Sequence, residues 1–258
     1  MKRIHLLSTV LMALFLFSCG NSNSPKTAQN DTDSLPTIME EPTNLASALT
    51  ERKNNSAKKI DSITGRIYKD GLEAVKLSGV LESAKQVGDM APDFSLQNAV
   101  GNTVNLKEYL KKGPVVLTWY RGGWCPYCNL TLHYLQQELP HFKAEGANLI
   151  AISPEMPDES ISTTEKNDLE FQILSDQGNT VAKEYGVSYT LTEDLANVYN
   201  KKFDLNQHNG DSSNQLPIAA TYINNQEGKI VYAFLDFDYR NRAEPADLTA
   251  FLKTMNAN

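Results

Sequence analysis

The sequence predicts an α/β domain whose central sheet is covered by helices on both faces, preceded by a helical extension. Three observations carry this. Val115 to Tyr120 is an unbroken apolar run between Gly113-Pro114 and Gly122-Gly123, as in a strand buried on both faces. Leu149 to Ile152 repeats that pattern. Between the two, Leu132, Leu135 and Leu139 share one side of a helical segment from Leu130 to Glu145, with Pro140 as a kink.

In chain order, Lys2 and Arg3 precede an apolar stretch, Leu6 to Phe17, that is too short to span a bilayer as a helix of about 20 residues. Residues 1–18 are therefore expected to be a signal segment. Leu16-Phe17-Ser18-Cys19-Gly20 resembles the bacterial lipobox, which implies cleavage before Cys19 and acylation of that residue. Residues 19–43 are dominated by Asn, Ser, Thr, Asp and Pro and cannot bury enough surface to order themselves, so they are expected to be a solvated tether. Several acyl chains on one cysteine, at about 0.8 kcal/mol per buried methylene, would make a durable anchor. The expected location is the cell envelope, lipid-anchored and facing the periplasm or the exterior. Asn21 rather than Asp after Gly20 points, by analogy with known sorting, to the outer membrane.

Residues 44–86 read as a helical extension, with Ile60, Ile63 and Ile67, then Leu72 and Val75, at helical spacing. Gly65, Gly71 and Gly79 divide it into two or more segments packed on the domain. Residues 87–258 form the domain itself. Phe94 to Leu96 and Thr103 to Asn105 read as a hairpin around Gly101-Asn102. Glu159 to Asp168, Thr180 to Tyr185 and Thr192 to Lys201 read as helices, with a short strand near Ile173. Asp204 to Gln215 reads as a polar loop, functional or mobile. Ala220 to Ile223 and Ile230 to Leu235 form a hairpin around Gly228, and Pro245 to Met255 a closing helix with proline in its first turn.

A hydrophobic fraction of 41% and a charged fraction of 21% suit a soluble globular domain. A net charge of -7 excludes an electrostatic grip on nucleic acid. Oligomeric state is not legible.

Three cysteines are present, and only Cys125 and Cys128 lie in the interior of the chain. A strand passing through Gly122-Gly123 into a helix places both at the helix N-terminus, where free N–H groups and the macrodipole favour a thiolate. The thiolate is the nucleophile, and a second sulfur nearby can resolve the product. A structural zinc site needs four ligands, and His133 alone does not complete one. A c-type haem needs His after the second cysteine, where Asn129 stands. No metal or organic cofactor is expected, although copper carriage, which uses a spacing one residue longer, stays a distant alternative. Trp124 is expected to wall the site, and His133 and His141 to be surface or packing residues.

Val115 to Asn129, with Arg121-Gly122-Gly123-Trp124-Cys125-Pro126-Tyr127-Cys128 at its centre, closely resembles a bacterial peroxiredoxin-like family of the alkyl hydroperoxide reductase and thiol-specific antioxidant superfamily. Val87 to Phe94, Ala151 to Pro154, Leu174 to Asp176, Leu216-Pro217 and Tyr239 to Pro245 extend the resemblance. It implies a thioredoxin-like, peroxiredoxin-type fold with a mixed sheet, a peroxide substrate and a thioredoxin-like reductant. It further implies a sulfenic acid that condenses to a disulfide between Cys125 and Cys128. The chain departs from the standard pattern: Arg121 takes the place of its Pro and Cys125 that of its Thr, and Ile218 to Ala220 lacks the usual Arg. Arg121, Arg240 or Arg242 could supply that charge, and Arg121, nearest in sequence, is the expected one. The departures resemble disulfide reductases, whose Trp-Cys-x-x-Cys matches Trp124 to Cys128, which implies that Cys125 attacks and that Pro217 faces the disulfide as a cis-proline. Peroxiredoxin logic selects Cys128 as the attacking sulfur and thioredoxin logic selects Cys125. The alternative function is thus an envelope thiol–disulfide oxidoreductase.

Overall fold

The computed structural model describes residues 44–257. The signal segment, Cys19 and the tether lie outside the described residues. Among those described, no helix is long and apolar enough to cross a membrane.

The extension is three helices, α1 (Leu45–Ala57), α2 (Ser62–Leu77) and α3 (Val80–Ser83). Only Gly79 of its three glycines marks a break, while Gly65 and Gly71 lie inside α2. The other break is set by capping: Asp61 accepts the N–H groups of Ile63 and Thr64 at 3.1 and 2.9 Å and starts α2. The first turn of α1 is held from far away in sequence. Glu244 accepts from the N–H groups of Leu45 and Ala46 at 3.2 and 3.0 Å, placing a carboxylate at a helix N-terminus. Leu45 and Leu49 then bury with Leu132, Leu135, Leu248 and Leu252.

The strands are β1 (Ser95–Asn98), β2 (Thr103–Asn105), β3 (Val115–Trp119), β4 (Asn148–Ser153), β5 (Gln172–Ser175), β6 (Ser188–Thr190), β7 (Gln215–Pro217), β8 (Ala219–Asn224) and β9 (Ile230–Asp236). Seven form one sheet in the order β2-β1-β5-β4-β3-β8-β9, and β6 pairs with β7 apart from it. The β3–β4 and β4–β5 pairs are parallel and the others antiparallel, giving the mixed sheet that the family resemblance implies. Period-2 geometry sorts the central strands between two apolar layers. Val115, Leu117, Trp119, Ile150 and Ile152 enter one layer, while Val116, Leu149 and Ala151 enter the other. The remaining helices are α4 (Leu106–Leu110), α5 (Pro126–Ala144), α6 (Pro157–Asn167), α7 (Thr180–Glu184), α8 (Glu193–Phe203), α9 (Leu205–Asn209) and α10 (Pro245–Asn256).

Two expectations need correction. The segment from Asp204 to Gln215 is not a plain loop: it holds α9 between Asp204 and Gly210, both with positive φ, and its last residue opens β7. Its one apolar anchor, Leu205, is fully buried, too small a signal to show as periodicity. Helix α5 begins at Pro126, four residues ahead of the expected start at Leu130, because proline suits the first helical position.

Gly186 ties the extension to the domain. Its φ is 70°, and a Cβ there would meet the carbonyl oxygen of Ser83 at the end of α3. Gly186→Ala is expected to lower unfolding free energy by about 2 kcal/mol or more, since left-handed backbone alone costs about 1–2 kcal/mol in a residue with a Cβ. The urea midpoint measures it; an unchanged midpoint would mean that α3 moves away freely.

Candidate active site

The buried strand β3 delivers Tyr120 and Arg121 to a tight turn that leads into α5. Gly122 and Gly123 are required there by close approach. A Cβ on Gly122 would meet the Trp124 indole and, at 2.7 Å, Glu155 Oε1; one on Gly123 would meet Thr163 Oγ1. Cys125 is the N-cap of α5, Pro126 its first helical residue and Cys128 its third.

Both sulfurs are buried and 2.7 Å apart, within reach of disulfide formation. Their surroundings differ. Cys128 Sγ accepts from the backbone N–H of Arg121 at 3.4 Å and from Arg242 Nη2 at 3.5 Å, and it lies against Cys125 Sγ. Burial pushes the Cys128 thiol up. The Cys125 hydrogen bond, the charges of Arg242 and Arg121 and the Arg121 N–H outweigh it and bring the thiol down to about 5. For Cys125, burial and the neighbouring Cys128 push the thiol well up. The proton of the pair therefore sits on Cys125 and the negative charge on Cys128.

Arg121 acts on the sulfurs through its backbone and its field. Its guanidinium lies over the rings of Trp124, Tyr199 and Tyr239 at 4.9, 4.7 and 4.0 Å, and its Nε and Nη2 have no hydrogen-bond partner among the described residues. With no carboxylate among the described residues to neutralise it, this buried charge keeps its full effect on nearby anions. The side chain that touches the sulfur is Arg242. Arg240 is held by Asp238, with both guanidinium contacts at 2.7 Å.

Trp124 lines the cavity beside Cys125, stacked on Phe203 at 5.3 Å. Pro217 is buried at the end of β7, opposite Ser188 of β6. His133 and His141 are exposed on α5. The extension, expected only to pack, also lines a cavity that reaches Cys125.

Sequence reading missed Glu155, although it follows the flagged Ala151 to Pro154 segment directly. It is buried just after β4 and accepts the Gly123 N–H at 2.9 Å, bracing the turn ahead of Cys125. His208 Nδ1 on α9 lies 3.5 Å from Glu155 Oε1 and 3.0 Å from Glu159 Oε2. Burial pushes the Glu155 carboxyl up to about 8; the Gly123 N–H opposes this, and the charges of Glu159 and Cys128 add to it. A carboxyl raised above its ordinary 4.5 binds more protons folded than unfolded. Its contribution to stability is thus fully present below about pH 4.5 and is lost as pH rises toward about 8. Glu155→Gln, which keeps an oxygen for Gly123, is expected to flatten that decline, by at most about 1.4 kcal/mol per pH unit. Urea unfolding across this pH interval measures it, and parallel profiles for the two proteins would contradict it.

Residues 87–233 match the family described as AhpC/TSA. The thiol-disulfide oxidoreductase ResA of Bacillus cereus (strain ATCC 10987) is 30% identical over 107 residues, 41% of this chain and 61% of ResA. A putative peroxiredoxin bcp of Buchnera aphidicola subsp. Schizaphis graminum is 32% identical over 100 residues, 39% of this chain and 63% of that protein. The chain thus covers less than two thirds of the length of these relatives. Among solved structures, the peroxidoxin BcpB of Mycobacterium tuberculosis superposes with a TM-score of 0.52 at 22% identity, over 66% of this chain and 97% of that one. That likeness shows a shared fold.

Proposed function

The chain belongs to the AhpC/TSA family, and on that premise we propose that it is a thiol peroxidase in which Cys128 is the peroxidatic thiolate and Cys125 the resolving thiol. The observation that carries this reading is the pair of donors converging on Cys128 Sγ, the Arg121 N–H and the Arg242 guanidinium, with Cys125 Sγ 2.7 Å away. Such donors hold a thiolate at neutral pH and also receive the negative charge that develops on the peroxide oxygens.

The Cys128 thiolate attacks one peroxide oxygen and the O–O bond breaks. Cys128 becomes a sulfenic acid, and the departing alkoxide or hydroxide takes a proton from solvent. The Cys125 sulfur then attacks the sulfenic sulfur; its thiol proton and the hydroxyl leave together as water, and a disulfide forms. A dithiol donor of thioredoxin type restores the pair with two electrons and two protons. The residues present suffice for these steps without a metal or organic cofactor. An envelope location, anchored through Cys19, belongs to the same reading and is supported by the lipobox-like sequence alone.

The test is to mix reduced protein with hydrogen peroxide or an organic hydroperoxide and follow thiol loss. Oxidation far faster than that of free cysteine is expected; oxidation at the free-cysteine rate would sink the reading. A second reading, a thiol–disulfide oxidoreductase, is favoured by one observation: Cys125, not Cys128, lines the cavity beside Trp124. Slow peroxide oxidation together with rapid reduction of protein disulfides would select it.

A further inference from the structure

We propose that Glu155, Glu159 and His208 form a binding site for a divalent metal ion of zinc type, separate from the cysteine pair and independent of the peroxidase reading. The three residues come from three places: Glu155 follows β4, Glu159 lies near the start of α6, and His208 is on α9. The Met156 N–H donates to the His208 carbonyl at 2.9 Å, which fixes α9 beside the start of α6. His208 Nδ1 stands 3.0 Å from Glu159 Oε2 and 3.5 Å from Glu155 Oε1, and one donor atom of each residue lies within 4.8 Å of the others. Ligands about 2.1 Å from a tetrahedral ion stand about 3.4 Å apart, so little movement is needed to receive one. Among the described residues, no other group of three His, Cys, Asp or Glu side chains converges in this way.

An ion pair alone does not account for the arrangement. Nδ1 makes a hydrogen bond with neither carboxylate, so the in-plane direction of the ring misses both oxygens. Glu155 is fully buried, and its Oε2 has no hydrogen-bond partner among the described residues. A buried carboxylate oxygen left without a partner costs free energy, and a bound cation would offset that cost. The Gly123 N–H on Glu155 Oε1 supplies the outer hydrogen bond that orients a ligating carboxylate. Binding would displace the proton that burial places on Glu155.

The donor set fixes the class of ion. One imidazole with two carboxylates suits zinc and its first-row neighbours, whereas calcium and magnesium take oxygen ligands. Glu159 and His208 are partly exposed, so an ion can enter from solvent. Because Glu155 also braces the turn ahead of Cys125, the ion would tie α6 and α9 to that turn, with neither sulfur among its ligands.

Calorimetric titration with Zn²⁺ would use the chelator-treated full chain carrying Cys19→Ser, Cys125→Ser and Cys128→Ser, because free thiols would bind the ion themselves. Saturation at one ion per chain, at micromolar Zn²⁺ or below, is expected. His208→Ala and Glu159→Gln, both at partly exposed positions, should each weaken binding at least about ten-fold, roughly 1.4 kcal/mol. His133→Ala, exposed on α5, should leave it unchanged. Binding that needs millimolar Zn²⁺, survives both substitutions, or is matched by Mg²⁺ and Ca²⁺ would overturn the site and leave the cluster as an ion pair. The thiol chemistry would stand in either case.

Discussion

Cys128→Ser is expected to lower peroxide reduction by at least about a thousand-fold, roughly 4 kcal/mol of transition-state stabilisation. Cys125→Ser, by contrast, should be oxidised once at close to the parent rate and then stall. The two sulfurs are neighbours on one helical turn, but their environments are not equivalent. The Arg121 N–H and the Arg242 guanidinium both point at Cys128, and burial keeps Cys125 protonated. Serine at 128 has a hydroxyl far too weakly acidic to ionise there. Serine at 125 still donates a hydrogen bond toward Cys128, so the thiolate survives, but it has no sulfur with which to close a disulfide. Rapid mixing with one equivalent of peroxide, quenched and weighed by mass spectrometry, separates the cases. Equal loss in the two variants, or loss in Cys125→Ser alone, would contradict the assignment.

Arg242→Met should raise the Cys128 thiol above its value of about 5 and, by removing the cation that stabilises the charge developing on the peroxide oxygens, slow peroxide reduction at neutral pH by about ten- to a hundred-fold. The guanidinium contributes both a hydrogen bond to Sγ and a positive charge, and hydrogen bonds to charged groups are worth about 1.5–3 kcal/mol. The direction follows from the acid form being neutral: without the cation the thiolate loses more than the thiol does. Below its pKa the sulfur is protonated and inert, so the parent protein should keep its full rate of alkylation by iodoacetamide down to about pH 6. In the variant the inflection should move toward neutrality. Superimposable pH profiles would show that Arg242 does not govern this sulfur.

The sequence made the sheet and the redox pair legible because each rests on local chemistry. A strand buried on both faces needs a continuous apolar run, and β3 and β4 have one. A helix-terminal cysteine pair needs glycine before it and proline between, and Gly122-Gly123 and Pro126 supply them. Arg242 was harder to single out. It lies 114 residues from Cys128, and nothing in spacing separates it from Arg121 or Arg240. Only the placement of Asp238 shows that Arg240 is already engaged. Glu155 was invisible for a related reason: a single acidic residue after a strand reads as surface, and its burial follows from the turn at Gly123 folding over it. The short helix α9 was lost because one leucine gives no period. The extension was legible as helix, yet its position over the cavity depends on long-range ties such as Glu244 to the N-terminus of α1.

The account turns on which sulfur meets the peroxide, and chemical trapping of the sulfenic acid asks that question directly. Cys125→Ser and Cys128→Ser, each treated with peroxide in the presence of dimedone, would be digested and read by mass spectrometry. Label on Cys128 in the Cys125→Ser protein, with none on Cys125 in the Cys128→Ser protein, is the predicted result. Label on Cys125 alone would contradict it and assign the first step to the sulfur that lines the cavity.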